Sequence, residues 1–316
     1  MTDKSFEKFN YLLRPSKQVE RKLLIETMHH LSASGYPIYN YTYLGLGSIY
    51  YADFLLFHKY LYIKKMTCVE SSEIPKRMRF NKPFNFIKLQ MKPISEVISQ
   101  LGPKTRYLVW LDYDTPLSLA KLADLDGFSQ ILAPGSVLLI TVDAETRHLI
   151  EAEDGPEDKT EPGLLRFLND NFGHLLIEDI KESNLSKNDF PHLLSKIIRA
   201  QVDKSFLARP SLKFHQLLNF VYADGAQMIT VGGVVDRIEA AGELEKSGIF
   251  KALEYTSQAD ELVRISVPPL TIREKQWIDS KLNKGLSGER LDIDDALLAT
   301  YVKYYRDYPT YYETLL

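Results

Sequence analysis

Cysteine is nearly missing from this chain. The 316 residues hold one, Cys68, so no internal disulfide can form and a framework of cross-linked small loops is excluded. Its place inside an apolar run predicts a buried strand thiol and a reducing, cytoplasmic setting. Long apolar runs are also lacking. No stretch approaches the roughly eighteen apolar residues of a membrane span, and the opening Met1-Thr2-Asp3-Lys4-Ser5-Phe6-Glu7-Lys8 has no signal-peptide core, so no membrane partner is expected. Neither charge sign dominates: a net charge of −3 argues against a surface coated by nucleic acid. The seven histidines form no metal pattern, since His29 and His30 diverge around a helix and His58, His148, His174, His192 and His215 are scattered. No internal repeat, nucleophile-elbow serine or Gly-Lys-Ser/Thr phosphate loop is present.

What is present is a strand, glycine turn and helix in Tyr41-Thr42-Tyr43-Leu44-Gly45-Leu46-Gly47-Ser48-Ile49-Tyr50-Tyr51-Ala52-Asp53. A β-branched and aromatic run stops at two glycines spaced one apart, and an amphipathic stretch opens behind them. In an open parallel sheet such a turn lies at the crevice where strand order reverses, with a helix N-terminus offering free N–H groups. Glu70 closes the next strand, Met66-Thr67-Cys68-Val69-Glu70, where a carboxylate would meet ribose hydroxyls.

Gly45, Gly47, Glu70 and the later Leu108-Val109-Trp110-Leu111-Asp112 resemble the sheet landmarks of class I S-adenosylmethionine (SAM) dependent methyltransferases. The resemblance covers residues 40–235. It implies SAM as cofactor, with Gly45, Gly47 and Ser48 beside its methionine part, Glu70 on the ribose and Gln90, after the third strand, near the adenine. The family usually carries an acidic residue two before the first glycine and a third glycine two after the second. Tyr43 and Ile49 stand there instead.

The remaining strands fit the same expectation. Phe86 to Leu89 reads as a third strand, and Tyr107 to Leu111 as a fourth, apolar throughout as a sheet covered on both faces requires. Asp112 and Asp114 follow at its C-terminal edge, the ligand side, and are the catalytic candidates: either could accept a proton, or the pair could share a divalent cation. Capping of the next helix is the competing role for them. Ser136 to Asp143 is a fifth strand, and residues 151–162 form an acidic loop. Leu217 to Gly233 holds two apolar runs around Asp224-Gly225, a two-residue turn signal for an antiparallel hairpin. A hairpin closing a parallel sheet favours a methyltransferase-like sheet over an NAD-binding one.

The predicted fold is therefore α/β, Rossmann-like and mostly parallel with a terminal antiparallel hairpin. Residues 1–39 are expected to be an N-terminal helical extension, 40–235 the α/β domain with a helical insertion at 163–210, and 236–316 a C-terminal helical region. In the extension, Arg14, Lys17 and Arg21 recur at helical spacing; they read either as a solvated basic face or as side chains holding a phosphate or carboxylate at the mouth of the site. Arg77 and Arg79 belong to a second basic stretch. From Lys59 to Arg106 the chain carries eleven basic and three acidic residues, which permits a nucleotide or nucleic-acid partner. Tyr301, Tyr304, Tyr305, Tyr308, Tyr311 and Tyr312 form an aromatic tail suited to packing on the body or on a second subunit of a homo-oligomer. The expected function is SAM-dependent methyl transfer to an unidentified acceptor, an oxygen nucleophile or a nucleotide being the candidates. The alternative, motivated by Tyr43 and Ile49, is a catalytically inactive effector on the same sheet that binds a nucleotide or nucleic acid.

Overall fold

The computed structural model describes residues 14–72, 74–256, 258, 260–282 and 292–309. Its centre is one eight-stranded sheet. The strands are β1 Thr42–Leu46, β2 Lys65–Val69, β3 Ile87–Gln90, β4 Tyr107–Pro116, β5 Ser136–Asp143, β6 Leu212–Asp224, β7 Ala226–Arg237 and β8 Val263–Ile265. Their order is β3-β2-β1-β4-β5-β7-β6-β8, parallel from β3 to β5, with β7 antiparallel to both β5 and β6. Order reverses between β1 and β4, so the crevice above their C-terminal ends is where a ligand fits. β5 is buried at every position, which is why it reads as an unbroken apolar run.

The hairpin is longer and tighter than expected. Asp224 pairs with Ala226, so Gly225 alone forms the tip, and its φ of +108° explains the glycine. Gly233 lies inside β7: a Cβ there would stand 2.3 Å from the His215 carbonyl oxygen of β6, so the residue permits close strand packing. Beyond the hairpin the C-terminal region is not wholly helical. Val263–Ile265 pairs in parallel with Phe220, Val221 and Tyr222 and adds an edge strand. A three-residue strand carries too little alternation to be read from sequence.

The first described helix, α1 Pro15–Ala33, has Pro15 in its first turn and Gly35, at φ +97°, just past its end. Asp224 caps it from the hairpin tip: its carboxylate accepts the backbone N–H groups of Ser16 and Lys17 at 2.9 and 2.8 Å. Val19, Leu23, Leu24, Met28 and Leu31 enter the same apolar cluster as Tyr43, Trp110 and Phe220 of the sheet. The glycine turn leads into α2 Ala52–Leu61, and β2 leads into α3 Pro75–Asn81. On the other face α4 Ile94–Ile98, α5 Leu119–Ile131, α6 Thr146–Glu151, α7 Glu161–Phe172 and α8 Phe190–Ser205 supply Val97, Leu125, Leu149, Leu168 and Ile197 to a second cluster.

Candidate active site

A cleft of about 460 Å³ opens at the C-terminal ends of β1, β2 and β4. Gly47, Ser48, Glu70, Asp112, Asp114, Arg14 and Arg21, all singled out in the sequence, line it; Asp53, Lys92 and Met228 join them. A side chain at Gly47 would crowd the end of β2. A Cβ would lie 2.9 Å from Cys68 Sγ, 3.0 Å from Met78 Cε and 3.1 Å from Glu70 Cβ, so the turn rests directly on the β2 end. The Gly47 N–H donates to the Val69 carbonyl at 2.7 Å and holds that contact. Glu70 accepts the Ser72 N–H at 2.9 Å, which fixes its carboxylate at the cleft wall.

Other candidates stand outside the lining. Gly45 is within β1, where a Cβ would strike the Tyr43 hydroxyl at 2.2 Å. Tyr43 itself is a core ring packed edge-on against Phe54 and Phe57 at 4.9 and 4.8 Å, and gives the cleft no carboxylate. Ile49 is likewise buried. Gln90 ends β3 and its carbonyl accepts the Glu70 N–H at 2.9 Å, but its side chain is not among the cleft-lining groups. Arg77 and Arg79 are exposed on α3. Tyr311 and Tyr312 lie outside the described residues, whereas Tyr301 and Tyr304 pack into the body.

The basic residues of α1 do not form a solvated face. Lys17 and Arg21 are 1% and 2% exposed, and each meets a carboxylate at 2.6 Å: Lys17 Nζ on Asp112 Oδ1, Arg21 Nε on Asp53 Oδ1. Lys17 also lies 2.8 Å from Glu20 Oε2, donates to the Tyr222 hydroxyl at 3.1 Å and sits 4.3 Å from the centre of the Trp110 ring. Glu20 is fully buried, and burial pushes its carboxyl above the usual range against the pull of Lys17. A polar chain continues through the sheet: Thr230 donates to Glu20, Thr141 and Thr230 share a hydrogen bond at 2.7 Å, and Trp110 Nε1 donates to Thr141 at 3.0 Å. These threonines look like ordinary β-branched strand residues in the sequence. Beyond each other, their partners come from two other elements, α1 and β4, which no local pattern records.

Sequence reasoning also missed a pair at the end of β5. Asp143, 4% exposed, lies between Pro116 of β4 and Met228 of β7 in the sheet, beside the cleft-lining Thr115 and Met228. Its Oδ1 accepts the Glu145 N–H at 2.8 Å and its Oδ2 meets His148 Nδ1 at 2.7 Å. Arg147 reaches the other ring nitrogen, Nε2, at 3.2 Å. A guanidinium can only donate, so Nε2 accepts and Nδ1 carries the proton toward Asp143. This tautomer leaves the outward nitrogen with its lone pair. The signal in the sequence was a strand-terminal Asp followed one helical turn later by His. Close by, Lys121 of α5 donates to Thr115 Oγ1 at 2.7 Å and to the Pro116 carbonyl; burial pushes its ammonium down to about 8, against the opposing charges of Asp154, Asp114 and Asp143. Cys68 is inert by comparison, since burial and the neighbouring Glu70 charge push its thiol up to about 12. Among the described residues no group of three His, Cys, Asp or Glu side chains could hold a metal ion, and no helix is long and apolar enough to cross a membrane.

A parallel sheet reversing between β1 and β4 and closing on an antiparallel β6–β7 hairpin is the class I methyltransferase fold, with the cleft on its ligand side. The chain belongs to the methyltransferase family described as "Putative O-methyltransferase", whose model matches residues 9–316. Among solved structures it is similar to Trm1 from Pyrococcus horikoshii in complex with S-adenosyl-L-methionine, at 11% identity and TM-score 0.47 over 78% of this chain. It spans 61% of the length of that protein. It is also similar to the N-methyltransferase NodS from Bradyrhizobium japonicum WM9, at 12% identity and TM-score 0.36 over 69% of this chain and 97% of that one. A third is M. jannaschii TYW2 in complex with AdoMet, at 11% identity and TM-score 0.35 over 67% of this chain and 76% of that one. No curated protein matches in sequence.

Proposed function

We propose that the chain is a SAM-dependent methyltransferase acting on a hydroxyl acceptor. The observation that carries this reading is the glycine turn pressed onto the β2 end: Gly47, with a Cβ position blocked on three sides, brings bare backbone against Glu70 at the switch point of the sheet. The residues present fit the cofactor. Gly47 and Ser48 would leave room for its methionine part, the Glu70 carboxylate could accept from two vicinal hydroxyls, and Asp114, with the Asp112 oxygen that does not face Lys17, would offer anionic surface to a sulfonium. When bound, SAM supplies an electrophilic methyl group on that sulfur.

The chain's own work is then to align the acceptor and manage its proton. The Asp112 oxygen facing Lys17 is already engaged, so Asp112 serves as the fixed floor of the transfer site, with Asp114 at its rim. His148, beside the cleft rather than in its lining, is the candidate base. Once Arg147, which lies 3.2 Å from Nε2, turns aside, that nitrogen would take the proton of a bound hydroxyl, and Asp143 would stabilise the imidazolium that results. Arg14, which lines the cleft, would orient an anionic part of the acceptor. The test is calorimetric titration with SAM and S-adenosylhomocysteine. Micromolar binding, about 8 kcal/mol, is expected for the wild type and its loss for Glu70→Ala; wild-type protein that ignores both ligands at millimolar concentration overturns the reading.

A further inference from the structure

One flank of the sheet carries a local excess of positive charge. Between Phe54 and Gln90 the sequence carries eight basic side chains and two acids, Glu70 and Glu73, and Glu70 lines the cleft. The whole chain has a net charge of −3, so this flank is set against an acidic remainder. At the end of α2 away from the cleft, Leu55, Leu56 and Phe84 line a groove of about 590 Å³, whose other walls are His58, Tyr62, Lys59 and Lys64.

Two features point to what the groove takes. The rings of Phe84 and Phe86 stack 5.1 Å apart with planes 9° from parallel, and His58 packs on both at 4.5 and 4.8 Å. Tyr62 stands 70% exposed at φ +59°, a left-handed helix end where glycine is usual, so a strained position holds an aromatic ring out in water. Around these rings Lys59, Lys64 and Lys65 have no carboxylate within 4.0 Å among the described residues. Lysines without a carboxylate partner among the described residues, Lys59 lying 5.3 Å from the centre of the Tyr60 ring, border the exposed Tyr62 and the half-buried Phe84, which suits a ligand with phosphates on one side and flat bases on the other.

We propose that this groove binds single-stranded nucleic acid, with bases stacked on Tyr62 and the Phe84–Phe86 pair and phosphates on Lys59 and Lys64. A duplex keeps its base faces stacked within itself and cannot use the rings. An acidic amphipathic peptide would meet the leucines and lysines but has no need of an exposed tyrosine or of two parallel rings. The ten residues of α2 put this groove about 15 Å from the cleft mouth, so it is a second site, and it stands whether or not the cleft transfers methyl groups.

The test is fluorescence anisotropy with a labelled oligouridine of about 12 nucleotides. Micromolar binding at about 50 mM salt is expected, weakening steeply as salt rises. Replacing both lysines, Lys59→Ala with Lys64→Ala, should reduce the slope of log affinity against log salt by about 1.4, two phosphate contacts at about 0.7 each. Tyr62→Gly should weaken binding about fivefold or more. Because glycine suits the left-handed backbone, this variant should unfold at the same or a higher temperature, so weaker binding cannot be ascribed to a damaged fold. The proposal is overturned by oligouridine that fails to bind at protein concentrations of about 100 μM, by binding that both variants leave unchanged, by preference for a duplex of equal length, or by a labelled acidic amphipathic peptide that displaces the oligonucleotide from the groove.

Discussion

Helix α2 begins and ends on a tyrosine in the left-handed region, and the two tyrosines have opposite surroundings. Tyr51, at φ +47°, is 1% exposed, donates to the Met78 carbonyl at 2.9 Å and packs edge-on against Phe54 at 5.6 Å. Tyr62, at φ +59°, is 70% exposed. The charges follow the same division. At the cleft end, Arg21 and Lys17 are buried against Asp53 and Asp112, whereas at the groove end Lys59 and Lys64 are exposed to water. One end is cross-braced by burial, ion pairs and hydrogen bonds; the other keeps its cations and rings available. Strain at the first is compensated by packing, and strain at the second leaves a surface ready for a ligand.

The sharpest way to stress this contrast is Asp143→Asn. The Glu145 N–H needs an acceptor, so the new amide oxygen stays there and the amide nitrogen faces His148 Nδ1. Nδ1 must then accept, the proton moves to Nε2, and the proposed base loses its lone pair there while the fold stays. Nitrogen-15 NMR of the imidazole should show the tautomer switch, and methyl transfer should fall by about a thousandfold or more. An unchanged tautomer would contradict the assignment. Next is Lys17→Met, which leaves Asp112 and Glu20 without their shared cation and should cost about 3–5 kcal/mol in urea unfolding. Lys64→Met at the groove end should change stability by less than about 0.5 kcal/mol. Equal costs at the two ends would erase the distinction.

The two tyrosines themselves make a matched pair. Tyr51→Gly relieves the backbone but deletes a buried ring and its hydrogen bond, so a loss of about 3 kcal/mol is expected. Tyr62→Gly relieves the same backbone and deletes little packing, so a gain of about 0.5–1 kcal/mol is expected. Opposite signs in thermal unfolding would confirm that surroundings decide the outcome. The smallest effect concerns Lys121. Its folded value of about 8 lies below its unfolded value of 10.5, so between these the unfolded chain binds more protons and stability rises with pH. Lys121→Gln should remove that rise, and urea midpoints taken below and inside the window would show it.

The sheet was legible because its evidence is local. Gly45 to Gly47, the apolar runs at Tyr107 to Leu111 and Ser136 to Asp143, and Asp224-Gly225 each announce an element within a few residues, and strand order follows from short parallel crossovers and a hairpin. The same logic put Glu70 and Asp112 at the cleft, which both line, since strand ends locate themselves. The role of α1 was not legible. Lys17, Glu20 and Arg21 look like one more charged helix face, and what buries them is β4, β6, β7 and α2, up to 210 residues away in the chain. The Asp143–His148 pair was obscured differently. Its Asp was read as the end of a strand and its His as one of several scattered histidines, because five residues separate them and no metal spacing ties them together.

The central claim is that the cleft between the glycine turn and Glu70, and not the groove, holds the cofactor. Ultraviolet cross-linking of labelled SAM, with the attachment site mapped by mass spectrometry, tests it most directly. The account predicts label on residues of the cleft wall, between Leu46 and Asp53 or between Val69 and Ser72, suppressed by excess S-adenosylhomocysteine and absent in Glu70→Ala. Label on Tyr62 or Phe84, or label that S-adenosylhomocysteine does not suppress, would contradict it.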